Sequence, residues 1–157
     1  MRMRAILDFI NIFITVVLAQ ATVIKLSYKY RTHVPVVLPW RVSKETNKGR
    51  TFGGLIIVLN TRYLKEVNYE WKVVAHTVYH EYRHVWQLVY HTGVFLWWGQ
   101  HRKLYKCMYR HPICSIEADA FAFGDSLGKE NRVDLLLKYN ALWLEDRFVL
   151  RGGGGSF

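Results

Sequence analysis

At 157 residues, with 51% hydrophobic and 22% charged side chains, the chain holds one domain's worth of folding sequence, which excludes a disordered or multidomain reading. A formal charge of +10 speaks to anionic partners rather than to fold; Lys and Arg are spread through "KLSYKYR", "RKLYK" and "KENR" without a basic block, so no specific nucleic-acid partner is expected. Cys107 and Cys114 lack the paired CxxC arrangement of a structural zinc site; they pair if the chain is exported or stay thiols if it is cytoplasmic.

The N-terminus, residues 1–24, opens with Arg2 and Arg4 and then runs largely apolar from Ala5 to Ile24. Basic flank, apolar middle and "AQA" at 19–21 have the layout of a secretory signal with cleavage after Ala21, and the run is also near the length of a membrane anchor. Asp8 and Asn11 weigh against both, leaving a packed amphipathic first helix as the alternative. The expectation is an exported or membrane-anchored chain, with a cytoplasmic location as its alternative. Attraction to an anionic membrane surface suits this basic, apolar end.

A domain over 25–150 follows. "VIKLSYKY" and "VPVVLP" read as short strands, with Pro35 and Pro39 keeping the second near a sheet edge. "KETNKGRTFGG", residues 44–54, reads as a polar turn, and "LIIVLN" after it as a buried strand. The period then changes. Asn68 is a candidate N-cap with Glu70 in the first turn, and Trp71, Val74, Val78, Tyr82, Val85 and Val89 form an apolar stripe that predicts one helix over 69–91, stopped by Gly93. A second stripe, His76, His80, His84, Gln87 and His91, lies on its far side, so this helix separates a hydrophobic layer from a polar cleft.

After the aromatic loop "GVFLWWGQHRKLYKCMYRH", Pro112 can open a helix that runs through "ICSIEADAFAFGDSL" to a stop near Gly128. "ENRVDLLLKYNALWLEDRFVL" reads as a closing helix, with Val133, Leu136, Leu137, Leu142 and Leu144 among its core candidates. Residues 151–157, "RGGGGSF", read as a flexible Gly/Ser tail.

His80-Glu81-Tyr82-Arg83-His84 is an HExxH. Histidines at i and i+4 stand one turn apart on one helix face, so both rings reach a single ion. The glutamate beside the first ligand projects near the remaining coordination position, where it can take a proton from an activated water. Catalytic zinc usually has three protein ligands. Glu117 is the preferred third; Asp119, two residues on, faces another way and suits orienting a ligand histidine; His111 would instead complete a three-histidine site. The short helix bearing Glu117 can pack antiparallel to the first, with Ala118, Ala120 and Ala122 allowing close approach. An oxyanion needs a donor besides the metal, and His101, Tyr105, Tyr109, Arg110 and His111 in the connecting loop are the candidates. His76 is expected to be structural or to support a ligand, and His91 to sit at the helix end.

HEYRH followed downstream by "EADAFA" resembles the zincin metallopeptidases, specifically the gluzincin branch with a glutamate third ligand, and is similar to the small bacterial and phage zinc peptidases. The resemblance covers roughly residues 53–127. It departs from the "NExxSD" pattern, having Ser115-Ile116 before the glutamate and Phe121 where the aspartate would fall, and no metzincin histidine follows His84. The resemblance implies an α+β, minimal zincin-like domain with Zn2+ on His80, His84 and Glu117, Glu81 as general base, and a peptide or protein substrate. It places "GGLIIVLN" where the strand forming the upper edge of the cleft would run. The alternative is a catalytically inactive zincin-like module used for metal or membrane-associated binding.

Overall fold

The computed structural model describes residues 2–41, 48–91 and 115–129. Among these residues the elements in chain order are α1 (Arg2–Tyr30), β1 (Val36–Trp40), β2 (Gly49–Phe52), β3 (Ile56–Asn60), α2 (Thr61–Glu66), α3 (Trp71–His91) and α4 (Ser115–Asp125). The fold class is α+β. The aromatic loop, both cysteines, Pro112, the closing helix with its core candidates and the Gly/Ser tail lie outside the described residues, as do His101, Tyr105, Tyr109, Arg110 and His111.

The sheet is mixed, in the order β1-β3-β2: β1 runs parallel to β3, and β2 antiparallel to it. β1 lies at the edge expected from Pro35 and Pro39, with Pro39 opposite Leu59. β3, expected as the cleft's upper edge, is the central strand instead. Its residues 57–60 are all buried, which suits a run of Ile, Val and Leu covered on both faces.

The edge strand on the other side is β2, in a segment read from sequence as turn. Its polar and glycine content masked a strand whose buried position is Thr51. The true turn is shorter: Gly53 and Gly54 have φ of 68° and 64°, and Leu55 N donates to Phe52 O at 3.1 Å. Two successive left-handed residues make the type I′ geometry that suits a twisted hairpin, and glycine takes it without strain.

Residues 23–30, expected as a strand, are instead the last turns of α1. Ala19, Val23, Leu26 and Tyr30 are all buried at three- and four-residue steps, so the inward stripe simply continues, and packing decided between two periods that eight residues left open. α1 is long and apolar enough to cross a membrane by length and composition, a test that signal sequences and core helices also pass. It packs on the domain near both ends. Asp8 meets Lys65 Nζ at 2.8 Å and the Tyr69 hydroxyl at 3.0 Å, and Tyr30 donates to Gly128 O at 2.9 Å.

Asn68 does not cap α3. Together with Tyr69 it has positive φ, 49° and 57°, and it closes the unforeseen α2: Asn68 N donates to Lys65 O and Tyr69 N to Leu64 O, the paired bonds of a Schellman motif. Asn tolerates the left-handed conformation for the same reason that it caps helices: a short side chain that bonds locally. α3 begins at Trp71, where Glu70 O accepts from Val73 N and Val74 N. The apolar stripe of α3 falls as expected, with Val74, Val78, Tyr82 and Val85 all fully buried. α4 stops where expected: Leu127 N donates to Gly124 O and Gly128 N to Phe123 O, with φ of 67° at Gly128.

Phe123 fastens α4 to the rest. Its ring stands 5.6 Å from Tyr30, 6.0 Å from Tyr79 and 6.5 Å from Tyr82.

Candidate metal centre

The two motif histidines occupy the face of α3 turned away from its apolar stripe, and their Nε2 atoms converge to 3.3 Å. The rings are nearly perpendicular, at 85°. A tetrahedral zinc with ligand bonds near 2.05 Å holds two donors roughly 3.3 Å apart. The same spacing is within reach of a long ring-to-ring hydrogen bond, so it admits a shared ion without requiring one.

His84 is oriented by a neighbour one turn along: its Nδ1 lies 2.9 Å from Gln87 Oε1. A carbonyl oxygen only accepts, so this contact suits an Nδ1–H and leaves Nε2 turned to the site. Gln87 is itself buried. Its role was missed from sequence, although the i, i+3 spacing carried the signal.

Glu81 is buried between α3 and β2. Thr51 Oγ1 donates toward Glu81 Oε2 at 2.7 Å and toward the Glu81 backbone O at 2.9 Å. β2 comes this close because of Gly49, where an added Cβ would stand 3.1 Å from Glu81 Cγ, 3.1 Å from Thr77 Cγ2 and 3.2 Å from Val58 O. The strand above the helix at Glu81 is thus β2 and not β3. Thr51 had no sequence signal, since nothing local links positions thirty apart.

α4 crosses α3 antiparallel. Phe121 lies against His80, ring centroids 4.5 Å apart, while one turn on Asp125 Oδ1 lies 2.7 Å from His76 Nε2. The close approach is made at Gly124, where a Cβ would meet His76 O at 3.0 Å, and at the fully buried Ala120. His76 thus links α3 to α4 through Asp125. One turn back from Phe121 the backbone carries Glu117, and one turn forward from His80 α3 carries His84. The side chains of Glu117 and Asp119 lie outside the described residues, as does that of His91.

Phe121 packs its ring against the first imidazole at a tilt of 59°. Among the described residues no three His, Cys, Asp or Glu side chains form a group, so the described part of the site is the pair His80–His84 with Glu81 beside it. No family model matches the chain, and neither a curated protein nor a solved structure does.

Proposed function

We propose that this chain is a zinc-dependent metallopeptidase built on a minimal zincin-like domain. The observation that carries the reading is the 3.3 Å convergence of the His80 and His84 Nε2 atoms next to a buried, hydrogen-bonded glutamate. His80 and His84 would hold the ion with Glu117 as third ligand. The antiparallel register of α3 and α4 supports Glu117, because the turn that precedes Phe121 on one helix runs beside the turn that follows His80 on the other. Zinc bound there supplies a Lewis acid that makes water a nucleophile near neutral pH.

The chain's own groups do the remaining work. Glu81 takes the proton of the attacking water and returns it to the leaving amine. Thr51 holds that carboxylate in one orientation, and Gln87 sets the His84 tautomer. The location that accompanies this reading is a chain exported, or held at a membrane by α1.

Metal content and peptidase activity of the purified chain, beside Glu81→Gln and Glu117→Ala, test it. The expected result is stoichiometric zinc in the wild type and in Glu81→Gln, turnover in the wild type alone, and weakened zinc in Glu117→Ala. Equal turnover in wild type and Glu81→Gln would end the mechanism. Zinc without turnover in either leaves the inactive metal-binding module. Full zinc occupancy in Glu117→Ala moves the third ligand elsewhere.

A further inference from the structure

α1 has two unlike faces. Thr15, Ala19, Val23, Leu26 and Tyr30 are buried against the domain. On the far side Leu7, Ile10, Phe13, Ile14, Val17 and Ile24 are exposed. That outer face contains no charged residue between Ala5 and Ile24, because Asp8, the one acidic residue there, is turned inward onto Lys65 and Tyr69. At about 100° per residue, Arg4, Lys25 and Lys29 fall along one border of the apolar stripe, between it and the buried face. Residues 1–41 hold six Lys and Arg (2, 4, 25, 29, 31 and 41) against that single aspartate.

We infer that α1 lies flat in the interface of an anionic phospholipid bilayer, its outer stripe in the acyl boundary and its basic border among the headgroups, with the domain riding on top. This deepens the membrane-held reading of the chain and does not rest on zinc. A spanning orientation conflicts with the packing. Asp8 near one end and Tyr30 at the other are bound to the same domain, so a helix set across the bilayer would carry α2 into hydrocarbon, where Arg62, Lys65 and Glu66 are exposed. Lying flat satisfies both faces at once: large apolar area outward, cations at its edge, and the exposed Tyr28 with its hydroxyl at headgroup level.

The test uses the full chain and vesicles of phosphatidylcholine alone or mixed with phosphatidylglycerol, read by flotation. Binding should be tighter to the mixed vesicles and weaken with salt. Phe13→Glu and Val17→Glu should each lower it roughly tenfold while leaving the folded far-ultraviolet signature and zinc content intact. Lys25→Glu should lower it on mixed vesicles only. Nitroxides at Leu7→Cys, Ile14→Cys and Ile24→Cys, with Cys107 and Cys114 replaced by Ser, should report one shallow depth at all three positions. A profile deepest at position 14 means a spanning helix; it overturns the flat geometry and spares membrane attachment. Failure to bind either vesicle overturns attachment as well. In that event a lipid-independent dimer dissolved by Phe13→Glu assigns the face to a second copy.

Discussion

Thr51, on an edge strand, and Glu81, on the helix beneath it, meet at 2.7 Å through hydroxyl and carboxylate. Both are buried, so the carboxylate depends on this contact for the hydrogen bonding that water would otherwise supply. Thr51→Val keeps the shape and removes the donor. Hydrogen bonds to charged groups contribute about 1.5–3 kcal/mol, and a loss of that order in chemical-denaturant stability is expected. If Glu81 is the base, turnover should also fall at least tenfold with KM little changed, because orientation rather than binding is lost. Unchanged turnover in Thr51→Val would show that the contact serves packing alone.

Gln87 gives a prediction on the metal that touches no ligand. Gln87→Leu fills similar space but leaves the His84 Nδ1 proton without its acceptor, freeing the ring to rotate or change tautomer. Zinc affinity should drop roughly 10–100-fold, read by competition with a chromophoric chelator. Stability of the metal-free chain should change far less than zinc affinity. An unaltered affinity would remove Gln87 from the centre.

Phe123 couples the helix that carries Glu117 to the core. Phe123→Ala empties a site ringed by Tyr30, Tyr79 and Tyr82 and should cost about 3–5 kcal/mol in a thermal or urea melt. Zinc affinity should fall with it, since α4 loses its main anchor against α3. A destabilised protein that still binds zinc at wild-type strength would show that the third donor does not ride on α4.

The contact of Asp8 with Lys65 and Tyr69 makes stability depend on pH at both extremes. The Lys65 ammonium, helped by the Tyr69 hydroxyl, holds the Asp8 carboxyl below the usual carboxylate range. Such a depressed group stabilises the fold above its unfolded value of about 3.9, and that contribution disappears as pH falls through the folded value. The Tyr69 phenol is pushed up to about 12, first by burial and then by its bond to Asp8. A raised phenol stabilises below its unfolded value of about 10 and loses that contribution as pH climbs toward the folded one. Asp8→Asn should therefore be less stable than wild type near neutrality, the difference closing in acid. In Tyr69→Phe a phenolate step near pH 12 should vanish from the 295 nm titration. Identical acid limbs for wild type and Asp8→Asn would contradict the ion pair.

Residues close in the chain made much of this protein legible from sequence. The HExxH pair needs only the helical repeat to bring two imidazoles together, and the stripe from Val74 to Val85 needs only the same repeat to bury one face of α3. The stop of α4 at Gly128 and the strand of Ile, Val and Leu at β3 belong to the same class of local signal. Relations across the chain were decided by the tertiary structure. Whether residues 23–30 continued a helix depended on a buried stripe begun at Ala19; whether Asn68 opened a helix or closed one depended on α2 before it. Which strand borders Glu81 depended on Gly49 letting β2 sit against α3, and why an aspartate is tolerated in an apolar helix depended on Lys65 and Tyr69 far along the chain. Helical spacing is written in three or four consecutive positions, whereas the partner of a buried charge or the neighbour of an edge strand is chosen by packing among segments that sequence order does not bring together.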